Sequence, residues 1–224
     1  STSKYDEQGY ELERVKYGAS GKISYKVTRK YDEKGNMLER VEYDASGNIK
    51  EKSIRKYSDK GNELETVRYD ASGKLADKSA YKYDERENIL EMVRYNASGK
   101  ISYKVTRKYD DKDNELEKVE YDASEKIAFK CTYKYDSKGK RSEKVEYDAG
   151  GKPTFKYTSN YDKKGNESER VRHGARGKPI DKISFKYDEK GNKVMEAEYV
   201  LKIGFGEERY VPTAEKTWEF TYWD

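Results

Sequence analysis

Residues 31–47 read YDEKGNMLERVEYDASG, and how this stretch is read decides the fold. It contains the phrase Tyr-Asp-x-x-Gly twice, once from Tyr31 and once from Tyr43. In each copy the Asp side chain can cap a type I turn, the middle residues tolerate most side chains, and Gly takes the left-handed conformation that closes the loop. Between the copies, NMLERVEY alternates by twos, which is the period of a strand and not of a helix. The stretch is therefore a strand bounded by two turns.

Working outward, Tyr31 belongs to a series of tyrosines at 5, 31, 57, 83, 109, 135, 161 and 187, an unbroken period of 26. With that tyrosine as position 0, a second tyrosine stands at position 12 in seven of eight repeats, and His173 replaces it once. Each repeat supplies one hairpin. Eight repeats over residues 5–200 predict about sixteen strands joined as an up-and-down meander.

Composition rules out an ordinary core. Leu, Ile, Val and Phe total 33 of 224 residues, a level usually associated with disorder. Yet 48 basic and 44 acidic residues nearly cancel, and 23 tyrosines recur at fixed intervals, so the chain is expected to fold without a thick interior. A single cysteine excludes an internal disulfide framework. No apolar run has membrane-spanning length.

If DASG is a four-residue loop, position 12 faces 17, position 10 faces 19, and position 8 faces 21. Position 8 is Glu in the first seven repeats and position 21 is Lys in all seven that have one, so this register predicts a directly opposed ion pair in every hairpin. Val at 10, Tyr at 12 and Lys at 17 and 25 share that face. The other face carries Leu at 7, Arg or Lys at 9, Ile at 18, a small or apolar residue at 22, and the tyrosine at 0. Charged residues occupy both faces, which argues against a sandwich or barrel. The expectation is an all-β, elongated, single-layer antiparallel meander of eight 26-residue hairpin repeats, roughly 75 Å long at about 4.8 Å per strand. After Tyr199 the repeat stops, and residues 201–224 read as a capping segment, with a long loop over 204–215 and a last strand over 216–223.

YDEKGN and YDASGK resemble the motif of YD (RHS-type) repeats and of bacterial MORN-variant hairpin repeats, both built on a Tyr-Asp-x-x-Gly turn. The resemblance covers residues 5 to about 200, with a period longer than is usual for either family. It implies a closed shell on the first likeness and an antitoxin-type protein binder on the second. The open sheet is similar in architecture to the central region of spirochaete outer surface lipoproteins. Choline- and glucan-binding repeats use a comparable turn but carry tryptophan in every repeat, and here none precedes Trp218.

No catalytic signature stands out. His173 occupies a tyrosine column, Cys131 occupies the column of Val27 and Val105, and the pair is too few for a zinc site of the usual ligands. The acidic loop from Asp110 to Glu115 lacks the glycine and spacing of an EF-hand and reads as a turn. No cofactor is expected, and the chain reads as a non-enzyme.

The feature that suggests a partner is the lysine and tyrosine face. Its candidate residues are Tyr43, Lys52, Tyr69, Lys74, Lys78, Tyr95, Lys100, Lys104, Tyr121, Lys126 and Lys130, with Trp218 and Trp223 as a separate aromatic site on the cap. Such a face suits a protein or an anionic polysaccharide. Nucleic acid is disfavoured by the absence of a polybasic arm. The expectation is a bacterial repeat protein, exported or surface-displayed after loss of an upstream signal, acting as a spacer or docking surface. The alternative is an intracellular protein-binding module of the antitoxin type. A monomer, or a weak dimer through an edge or face, fits either.

Overall fold

The computed structural model describes residues 1–204 and 207–220, without the side chains of 203–207. The described residues form seventeen antiparallel strands and no helix. They are β1 (Thr2–Tyr5), β2 (Glu11–Tyr17), β3 (Ile23–Tyr31), β4 (Met37–Tyr43), β5 (Ile49–Tyr57), β6 (Glu63–Tyr69), β7 (Leu75–Tyr83), β8 (Ile89–Tyr95) and β9 (Ile101–Tyr109). Then follow β10 (Glu115–Tyr121), β11 (Ile127–Tyr135), β12 (Arg141–Tyr147), β13 (Pro153–Tyr161), β14 (Glu167–Gly174), β15 (Pro179–Tyr187), β16 (Lys193–Gly204) and β17 (Glu207–Thr217). The chain divides into two compact units, residues 1–106 with 120–126, and residues 107–119 with 127–224. In the first unit each strand from β1 to β8 pairs with its successor. In the second the same holds from β11 to β16. Each unit is a single layer.

Both phrases of the repeat fold into one turn type, and it is shorter than the expected four-residue loop. Gly47 donates its N–H to the Asp44 carbonyl and Asp44 donates its own to the Asn48 carbonyl, which leaves only residues 45–47 in the loop. The Asp44 carboxylate accepts from the N–H groups of Ser46 and Asn48. Gly47 closes the loop at φ 83°, the left-handed residue of a three-residue hairpin. Asp32, Asn36 and Gly35 repeat the arrangement at the other end of β4. A side chain on Gly35 would also run into the Tyr10 ring, whose hydroxyl lies 2.1 Å from the site of a Cβ.

The register is corrected accordingly. Val15 faces Lys26 and Glu13 faces Thr28, so position 21 stands opposite 10 and not opposite 8. One residue of the offset comes from the shorter loop. The other comes from a β-bulge, since Lys16 faces Tyr25 while Tyr17 faces Ile23, leaving Ser24 as the extra residue. Two offsets of one residue restore parity, so Glu, Val and Lys stay on the face the alternation assigns them. The lysines at position 17, among them Lys74, Lys100 and Lys126, lie in the turns and not within the strands.

A second bulge explains the invariant tyrosine at position 0. Lys30 faces Glu39 and Tyr31 faces Met37, so Leu38 is the extra residue, and Leu12 plays that part in β2. A bulge disrupts the local ladder, and the tyrosine hydroxyl of the following repeat donates to the carbonyl beside it. Tyr31 bonds Glu11, Tyr57 bonds Met37, Tyr83 bonds Glu63, and in the second unit Tyr135 bonds Glu115. Each such bond is worth about 1 kcal/mol.

The core is one residue wide on each face. Val15, Val41 and Val93 are buried on the glutamate face, and Val27 and Val105 on the other, where Val27 is 0% exposed. Their neighbours are long charged side chains, since Val15 faces Lys26 and Val27 faces Arg14 and Glu42. The aliphatic stems of those residues supply the cover that a second layer would otherwise give.

The C-terminal expectation is also corrected. Residues 207–217 form β17, paired with β16 from Met195 to Gly204, where a long loop was expected over 204–215. The register of this last pair runs without an internal turn because the segment alternates and lacks a Tyr-Asp-x-x-Gly phrase.

Three turns depart from glycine. Glu87, Asp113 and Glu125 hold φ 72°, 64° and 58° at the closing position. A left-handed side chain other than Asn or Asp costs about 1–2 kcal/mol. Replacing Glu87 or Glu125 by Gly is expected to raise stability by about 0.5–1 kcal/mol each, and Asp113→Gly by less, as read from urea denaturation midpoints at constant slope.

Candidate functional site

The candidate face is built from a clamp that recurs in six successive repeats, from Glu13 to Glu143, and at Glu169 the opposed lysine is replaced by Asn160. Glu39 accepts from Lys30 at 3.0 Å across β3 and β4, where the two are directly opposed, and from Lys52 at 2.6 Å diagonally across β4 and β5. Glu91 sits in the same way between Lys82 at 2.7 Å and Lys104 at 2.9 Å. Glu13 and Glu65 complete the set in the first unit, and Glu117 and Glu143 repeat it in the second. The expected pairing of positions 8 and 21 is therefore made, but on the diagonal, and the lysine at position 25 supplies the direct partner.

The lysine at position 21 has a second contact. Its Nζ lies over the position-12 tyrosine of the following strand: Lys26 over Tyr43 at 5.6 Å, Lys78 over Tyr95 at 5.7 Å and Lys104 over Tyr121 at 5.6 Å. Lys130 takes the same place over Tyr147. Tyr43, Tyr95 and Tyr121 are consequently half-buried, and Tyr69 is half-buried too. The candidate lysines thus divide by position. Lys52, Lys78, Lys104 and Lys130 are engaged within the sheet, whereas Lys74, Lys100 and Lys126 are exposed at the hairpin ends. The cations that stand furthest into solvent along the strands are at position 25, with Lys30 73% and Lys82 74% exposed against 27% for Lys104.

Hydrogen bonds from the flanking lysines, led by Lys26, Lys52, Lys78 and Lys104, hold Glu13, Glu39, Glu65 and Glu91 below the usual carboxylate range. The same contacts raise Lys26 and Lys104.

At the cap, Trp218 is 37% exposed, with Lys193 Nζ 5.0 Å from its ring and its N–H donated to the Val194 carbonyl. Trp223 lies outside the described residues. His173 is held by Thr158 and the Gly177 carbonyl, and Cys131 is buried against the Tyr133 hydroxyl with its thiol pushed up by burial. Asp110 accepts from the Lys112 and Asn114 N–H groups, the turn chemistry expected of that loop. No helix among the described residues is long and apolar enough to cross a membrane.

The geometry defines a class: a tandem β-hairpin repeat protein whose units are single-layer sheets. No family model matches the chain, and no curated protein matches it. Among solved structures it is similar to a porin-like protein from Bacteroides uniformis, at 11% identity and TM-score 0.40, over 88% of this chain and 86% of that one. It is also similar to chains of TcdB2-TccC3-TEV (10% identity, TM-score 0.28, 90% of this chain) and of the Photorhabdus luminescens Tc holotoxin pore (11% identity, TM-score 0.21, 84% of this chain). This chain spans 15% and 16% of those two.

The clamp makes two checkable statements. In double-mutant cycles, Glu91→Gln is expected to couple to Lys104→Met by roughly 0.5–1 kcal/mol and to the exposed Lys82→Met by clearly less. Because the glutamates are depressed, their stabilisation is complete above the unfolded glutamate value of about 4.3. It is lost as pH falls through the folded values, so acid titration should destabilise the wild type more than Glu91→Gln.

Proposed function

We propose that the chain is a non-enzymatic repeat protein, exported or displayed at a cell surface, that serves as a spacer or docking surface for an anionic polysaccharide. The observation that supports this reading is the repetition of the clamp. Two lysines and one glutamate leave one positive charge per clamp on the same face, and tyrosines alternate with them. Equivalent weak contacts along a polymer give avidity without any single essential residue. Catalysis, by contrast, needs one place with specially perturbed groups.

The test is binding of the full chain to immobilised hyaluronate, with neutral dextran as control. Affinity should fall steeply as salt rises and decline in steps as Lys30, Lys56, Lys82 and Lys134 are changed to Gln one after another. Those side chains are largely exposed, and the replacements should leave the fold intact. Equal retention of dextran, or loss of all binding on a single replacement, would contradict the reading. Digestion of the chain by protease added to intact producing cells checks surface display.

A further inference from the structure

On the face opposite the clamp, one row of the first unit breaks the repeat. Arg55 faces Thr66, Thr66 faces Ser79, and Ser79 faces Arg94, so the row reads Arg-Thr-Ser-Arg across β5, β6, β7 and β8. The corresponding row one repeat earlier is Arg29-Arg40-Ser53-Arg68, and in the second unit one reads Tyr133-Lys144-Tyr157-Arg172. Elsewhere, at least one of the two inner positions carries a long side chain. Here both are small hydroxyl residues, and the missing bulk leaves a depression of 610 Å³ that these four residues line together with Arg68, Asp77, Glu63 and Tyr81.

The charges in it do not balance. Glu63 lies 3.5 Å from Arg55 and also accepts from the Thr66 hydroxyl, and Asp77 accepts from Arg68 at 2.9 Å. Three guanidiniums against two carboxylates leave one positive charge. Arg55 Nη1 is buried and makes no hydrogen bond, alone in this among the side-chain nitrogens and oxygens of the described residues. The surplus positive charge among the lining guanidiniums is what an oxyanion would neutralise.

We infer that this depression binds a ring-bearing monocarboxylate. Its carboxylate lies by the Ser79 hydroxyl between Arg55 and Arg94, and its ring rests toward Tyr81. A single negative charge matches the surplus, whereas a phosphate dianion would meet Glu63 and Asp77 with one charge too many. The volume is that of a site for a small molecule and exceeds what a bare ion fills. The site is on the other face from the lysine clamp, so its failure and the failure of the docking reading are separate results.

The experiment is NMR titration of the full chain, following the backbone amides of Thr66, Ser79 and Tyr81 and the arginine Nε groups. The probes are glucuronate and benzoate, with glucose and inorganic phosphate as comparisons. Saturating shifts confined to this row are expected with at least one acid, the one that saturates telling a sugar ring from an aryl ring, and none with glucose. Arg55→Gln and Arg94→Gln should each weaken binding at least tenfold, and Lys82→Gln on the opposite face should leave it unchanged. Thr66→Arg restores the residue type of Arg14, Arg40 and Arg170 in that column, so it should keep the fold and abolish binding by filling the space. Shifts that do not saturate, that persist in Arg55→Gln, or that saturate with phosphate but with neither acid would overturn the assignment.

Discussion

A sheet with solvent on both faces has to hide its apolar atoms under its own side chains, and the lysine clamp on each glutamate is what makes this work. The glutamate draws one lysine from the strand before it and one from the strand after it, and the latter stands directly opposite the valine that its stem helps to cover. The lysine at position 21 continues onto the next tyrosine, so one side chain ties three strands. Individually such surface contacts are weak. They matter because the contact of the position-21 lysine also fixes a cover over a buried valine. The tyrosine at position 0 answers the other structural demand, since it gives a partner to the carbonyl beside the bulge.

Much of this was legible in the sequence. The period, the alternation by twos, the turn phrase and the matched Glu and Lys columns name the strands, the faces and the ion pairs. The exact register was not, because the bulge beside Ser24 has no marker of its own: Ser, Lys, Ala and Thr all fill that column. A three-residue loop and a one-residue bulge each shift the pairing by one, and their sum preserves the faces while moving every partner by two. The alternation therefore reported the correct face for a register that was off. The last hairpin was missed for the opposite reason, because without the turn phrase a long alternating segment was taken for a loop.

The candidate site divides along the same line. Columns reveal what is repeated, so the clamp lysines and the half-buried tyrosines could be named from the sequence, although their mutual engagement could not. The Arg55 to Arg94 row was invisible to column reading, which averages over the repeats that differ. The signal available was Thr66, small in a column otherwise filled by long side chains, standing beside Ser79 in a column that is often small. Repetition and its interruption thus propose different work for the two faces: distributed contacts on one, and a single small-molecule site on the other.

The central claim is that each hairpin is held by its immediate neighbours through contacts that recur every 26 residues. Excising residues 57–82, one full period within the first unit, tests it most directly, by circular dichroism and urea unfolding of the product. A folded chain with strand signal reduced by two strands and a single cooperative transition is the result the account predicts. A molten or insoluble product would contradict it, because it would mean that strands far apart in sequence hold the sheet together.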